Sequence, residues 1–111
     1  MEGNIVIYSR KSRFTGKGES IGNQTELCRE YIKLHFGEEA LEETFLYEDE
    51  GFSGGNLKRP GFQRMMAFVR KGGCRAIVVY RLDRISRNIS DFAGLIEELS
   101  ALGTAFISIR E

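Results

Sequence analysis

The runs Ile5 to Tyr8 (IVIY) and Ala76 to Tyr80 (AIVVY) are apolar or aromatic at every position, and that continuity constrains the fold more than any other feature. A strand with one solvated face alternates polar and apolar residues, whereas a strand covered on both faces does not. Two further runs, Glu43 to Glu48 (ETFLYE) and Thr104 to Ile109 (TAFISI), read as a short second strand and a closing fourth. Stretches of helical period lie between them. Leu27, Tyr31 and Leu34, with Ile21 and Cys28, trace a helix that stops at Gly37. Phe62, Met65, Met66 and Val69 recur at i, i+3, i+4 and i+7 before Gly72-Gly73, and Phe92, Leu95, Ile96 and Leu99 form a third stripe. The predicted order is βαβαβαβ, an α/β fold of three layers: a mostly parallel sheet with helices on both faces.

With 111 residues, 41% hydrophobic and 29% charged, the chain suits one globular domain with a real core. Sixteen basic and sixteen acidic residues give a net charge of +0, so no bulk field draws it to a polyanion and any such partner is met locally. The start, Met1-Glu2-Gly3-Asn4, lacks a charged leader followed by an apolar segment. No apolar stretch approaches the ~20 residues that span a bilayer. The reading is of a cytoplasmic protein with no membrane partner. Cys28 and Cys74, with a single histidine (His35) and no CxxC spacing, make no zinc site and read as buried free thiols. No cofactor or metal is expected.

Loops leaving the carboxyl ends of parallel strands emerge along one edge, where ligands bind. Here those loops run from Arg10 to Ser20, Asp49 to Gly61 and Arg81 to Asn88. The first carries Arg10, Lys11, Ser12, Arg13 and Lys17, the second Ser53, Lys58 and Arg59, the third Arg81, Asp83, Arg84 and Arg87. The expected result is a basic edge on a neutral protein, with the acids gathered elsewhere, mainly from Glu38 to Asp49. Tyr8, Arg10 and Ser12 share one direction in extended backbone, and Arg84 and Arg87 share a face if the third helix has begun there. Arginine suits phosphate because its planar fork makes two parallel bonds and stays charged. Taken singly, each basic loop also reads as solvated surface, Ser12 as a loop or capping hydroxyl, and Asp83 as an ion-pair partner.

In order along the chain, YSRKS and ESIGNQ, then YEDEGFSGGNLKRPGF, then YRLDRISR resemble the catalytic domain of the serine site-specific recombinases, the resolvase/invertase family. The long first loop and the second segment look most like the large serine recombinases and transposon-borne members. The resemblance implies that Ser12 attacks a DNA phosphodiester to give a 5′-phosphoserine bond and a free 3′ hydroxyl, after which strands are exchanged and rejoined. It further implies that Arg10, Arg84 and Arg87 surround the scissile phosphate, with Arg59 close and Gln24 and Asp83 in support. Double-stranded DNA is the implied partner, with dimers at each site and a synaptic tetramer in the full-length protein. Arg81 and the Ile85-Ser86 pair depart from the usual pattern without touching these positions.

Phosphoryl transfer asks mainly for positioning and charge neutralisation, which an arginine cluster supplies without Mg²⁺. Activation of Ser12 falls to an arginine, to Asp83 or to water, since no histidine lies in these loops. A receiver-like module shares the βα order and an aspartate after the third strand, but its first loop needs acids for Mg²⁺ where this chain has Arg10, Lys11 and Arg13. A serine hydrolase lacks support, because no histidine lies in these loops to pair with a serine. A non-catalytic interaction module of the same fold is the alternative. The resemblance places a dimerisation helix and a DNA-binding region beyond residue 111. Residues 1–111 alone are therefore expected to be inactive and monomeric or weakly self-associating.

Overall fold

The computed structural model describes residues 4–11, 21–50, 59–81 and 89–110. The elements run β1 (Asn4–Lys11), α1 (Ile21–Phe36), α2 (Glu38–Glu42), β2 (Thr44–Glu50), α3 (Pro60–Arg70), β3 (Cys74–Val79), α4 (Ile89–Leu102) and β4 (Ala105–Ser108). The four strands form one sheet in the order β2-β1-β3-β4, with every pairing parallel.

The unbroken apolar runs are explained by cover on both sides. Val6, Tyr8, Ile77 and Val79 point into a cluster with Phe62, Met65, Met66 and Val69 of α3 and Leu95 and Leu99 of α4. Ile5, Ile7, Ala76 and Val78 point the other way, against Cys28 and Ile32 of α1, with Ala40 and Leu41 of α2 at the margin. Successive residues of β1 and β3 thus serve opposite cores, which is the period-two rule applied to central strands covered on both sides. Both cysteines are free and buried; burial pushes the Cys28 thiol up to about 12. Met65 and Met66 fill the first core, as their spacing predicted. No helix among the described residues is long and apolar enough to cross a membrane.

Two local readings of the sequence are corrected. The predicted α1 stripe included Leu34, which is 80% exposed, and the buried face runs instead through Gln24, Thr25, Cys28 and Ile32. Two of those four are polar, so hydrophobic periodicity alone turned the helix toward the wrong neighbours. The helix α2 was not anticipated because its five residues are mostly glutamate and its only apolar pair, Ala40-Leu41, is too short to show a period. Gly37, at φ +96°, separates α1 from α2 in a conformation that side chains with a Cβ rarely adopt.

The connections decide where a ligand can sit. The chain leaves β1 for α1 and α2 on one face, whereas β2 and β3 feed α3 and α4 on the other. Adjacent strands β1 and β3 therefore send their chains to opposite faces, which makes the gap beyond their carboxyl ends the topological switch point of the sheet.

Candidate active site at the carboxyl end of the central strand

Alternation along β1 sends Tyr8 and Arg10 toward α3 and Ser9 toward α1. Parallel register sets Tyr47 beside Tyr8 and Asp49 beside Arg10. On the α3 side the Tyr8 hydroxyl donates to Asp49 Oδ2 at 2.7 Å and accepts from Arg59 Nη1 at 3.0 Å. Asp49 also accepts from the backbone N–H groups of Gly61 (2.8 Å, Oδ1) and Phe62 (2.9 Å, Oδ2). The first turn of α3 is thereby capped by a carboxylate from β2, while Arg59 at the cap position makes no side-chain capping bond. This arrangement needs glycine at position 61, because an added Cβ would stand 2.3 Å from the Glu48 carbonyl oxygen.

Arg59 is only 1% exposed. Its guanidinium lies 5.5 Å from the Tyr8 ring centre and 5.4 Å from that of Phe62, and those two rings meet edge to face at 5.7 Å. Cation–π contact, the Tyr8 hydrogen bond and the nearby Asp49 charge together offset the cost of burying that cation. Burial still lowers the Arg59 pKa, opposed by Tyr8 and Asp49. Tyr8 moves up strongly, first through burial and then through its bond to Asp49. A phenol held this way keeps its proton after an unfolded tyrosine has lost it. Its contribution to stability is intact below about pH 10, the unfolded value, and declines as pH rises beyond it. In a phenolate absorbance titration, the difference between the parent and Tyr8→Phe should appear only as the protein unfolds in alkali. A Tyr8 signal at about pH 10 in the folded protein would contradict the buried bond.

On the α1 side, Gln24 is fully buried and grips the backbone of Arg10 at both ends. Its Nε2 donates to the Arg10 carbonyl at 3.1 Å, and its Oε1 accepts from the Arg10 N–H at 3.4 Å. Beside it, Ser9 Oγ and Thr25 Oγ1 are 3.1 Å apart and both buried.

Of the residues singled out in the sequence, the structure brings Arg10, Gln24 and Arg59 to one end of β1. Ser12, Asp83, Arg84 and Arg87 lie outside the described residues. Arg59, expected close to the scissile phosphate on a basic loop, has its side chain enclosed. Asp49 stood both at the start of the second edge loop and at the end of the acidic run set apart from the basic edge; it sits 4% exposed beneath that edge. Its role, and the bonding role of Tyr8, escaped sequence reasoning. The usable signal was parity, since an aspartate at the end of one central-facing strand falls beside Arg10 in parallel register. His35 is exposed and stacks on Tyr31 with ring centres 4.1 Å apart, away from this cluster.

Residues 5–111 match the family model described as Resolvase, N terminal domain. The chain is 46% identical over 59 residues to the transposon Tn552 DNA-invertase BinR of Staphylococcus aureus, covering 53% of this chain and 30% of that protein. It is 36% identical over 97 residues to a putative DNA recombinase of Bacillus subtilis, covering 86% of this chain but 18% of the relative. The matched regions are thus minor parts of those longer proteins. Among solved structures, the N-terminal catalytic domain of TP901-1 integrase superimposes with a TM-score of 0.78 at 29% identity, covering 96% of this chain and 76% of that one. The transposon invertase and the integrase domain are the kinds of relative that the sequence motifs resemble. The match over nearly the whole chain, together with the shared fold, makes this protein a member of the resolvase family through its N-terminal domain.

Proposed function

We propose that this chain is the catalytic domain of a site-specific DNA recombinase in which Ser12 is the nucleophile. The reading rests on one observation above others: the segments bearing Ser12 and Arg84-Arg87 start from β1 and β3, the two strands that flank the switch point, where Arg10 is already anchored. Ser12 Oγ attacks phosphorus, the DNA 3′ oxygen leaves with its bonding electrons, and a 5′-phosphoserine linkage forms. The serine proton passes to a base or water, and the 3′ oxygen gains one. The linkage conserves the phosphodiester bond, so attack by another 3′ hydroxyl reseals a strand without a nucleotide cofactor or a metal. Arg10, Arg84 and Arg87 neutralise the equatorial oxygens, and Asp83 orients the arginines beside it.

Arg59 serves the site from below. Its charge is fixed between two rings and one tyrosine hydroxyl, where it contributes positive potential under the phosphate without leaving its pocket. Gln24 holds the Arg10 backbone in place. DNA is met at this edge alone, so residues 1–111 in isolation bind it weakly and without sequence preference. Site recognition and assembly into dimers and tetramers belong to the longer protein.

The test is covalent trapping. Full-length protein incubated with a nicked DNA substrate should yield an adduct whose linked peptide contains Ser12, and an adduct on any other residue would overturn the reading. In the same assay Arg10→Ala should slow adduct formation by ~10²-fold or more, the scale seen when one transition-state charge donor is removed. Arg10→Lys should recover only part of that loss, because it lacks the bidentate fork.

A further inference from the structure

β1 ends at Lys11 and α1 begins at Ile21; Ser12 falls between them in sequence, outside the described residues. Three hydrogen bonds among the described residues join these two elements. Two are the Gln24 contacts to the Arg10 backbone, and the third joins Ser9 Oγ to Thr25 Oγ1 at 3.1 Å. The third is unexpected on packing grounds. The face of β1 that bears Ser9 also bears Ile5 and Ile7 and is covered by Cys28 and Ile32 of α1, where an alanine facing a valine would fill nearly the same space. Two apolar groups there would avoid desolvating two hydroxyls, a substitution that is close to neutral for stability when both partners are exchanged together. A buried hydroxyl pair differs from such a pair in one respect: it has a preferred separation and direction.

We propose that Ser9 and Thr25 are positioning residues that fix how the first turns of α1 meet the end of β1, and with that the placement of Arg10, two residues before Ser12. This inference rests on the recombinase reading above and assigns no contact between either residue and DNA. The pair acts through the chain: Ser9 precedes Arg10, and Thr25 follows Gln24, so neighbouring residues tie the same two elements together. A small displacement of reacting groups is costly in a reaction that depends on alignment, with losses of up to ~10²-fold for a shift of about an ångström.

The experiment compares full-length parent, Thr25→Val, Thr25→Ser and the double variant Ser9→Ala/Thr25→Val. Each is measured for single-turnover adduct formation on nicked DNA, DNA concentration dependence, melting temperature and amide exchange at Arg10. The double variant should melt within ~4 °C of the parent, because neither hydroxyl is left without a partner. Its rate at saturating DNA should fall ~10-fold with unchanged half-saturation, and its Arg10 amide should exchange faster. Thr25→Ser should restore most of the rate lost in Thr25→Val. A double variant with the parent's rate and the parent's Arg10 exchange overturns the proposal, since a pair that only packs is replaced without loss. If the parent itself forms no adduct, the recombinase reading fails, and Arg10 exchange still decides the clamp: parent-like protection in the double variant refutes it.

Discussion

Replacing Ser12 by alanine should abolish DNA cleavage and the covalent protein–DNA product together, while leaving association with DNA and the melting temperature unchanged. The effect is all or none because the proposed reaction has a covalent intermediate and no path that bypasses it. The nearest serine in sequence cannot substitute. Ser9 is fully buried on the α1 side of the sheet and engaged with Thr25, whereas Tyr8 and Arg10 face α3. Denaturing electrophoresis of labelled DNA after incubation with the full-length variant decides the matter: any retained adduct removes Ser12 from the role.

Asp49→Ala should be the most destabilising single change in the described part of the domain. It removes the acceptor for three donors at once, the Tyr8 hydroxyl and the N–H groups of Gly61 and Phe62. It also strips the buried Arg59 cation of its neighbouring negative charge. Breaking a buried charged network from one side costs about 3–5 kcal/mol, a large share of the 5–15 kcal/mol that holds a typical domain together. A melting temperature lower by ~10 °C or more follows. Asp49→Asn keeps one acceptor oxygen and should fall between the two. If Asp49→Ala melted within ~3 °C of the parent, the carboxylate would not be the capping group that the geometry makes it.

How much of this was legible in the sequence depends on which physical signal each element carried. The strands β1 and β3 announced themselves because burial on both faces leaves an uninterrupted apolar run that few other structures need. The same clarity failed for α1, where Gln24 and Thr25 occupy core-facing positions and carry polar work, so the apolar count pointed at Leu34 instead. The basic half of the site was readable as a set of arginines after strand ends. Its acidic half was not, because Asp49 lies in a run of glutamates that reads as solvated surface until the β1–β2 register is known. Arg59 shows the same limit: a residue between Lys58 and Pro60 gives no local sign that it will be enclosed by Tyr8 and Phe62, which are distant or not yet oriented in the sequence.

The strand order carries a consequence for how the protein comes off the ribosome. β1 is made first but lies between β2 and β3, and its pairing with β3 joins Asn4–Tyr8 to a strand that ends at Val79. The bonds that brace the site span 41 residues from Tyr8 to Asp49 and 51 from Tyr8 to Arg59. Such long-range closures form late, after their loop entropy has been met by several contacts at once. A growing chain therefore carries its serine and its first arginine exposed but unbraced until α3 and β3 have emerged. On the proposed function, a half-synthesised chain carries Ser12 before Tyr8, Asp49 and Arg59 have joined.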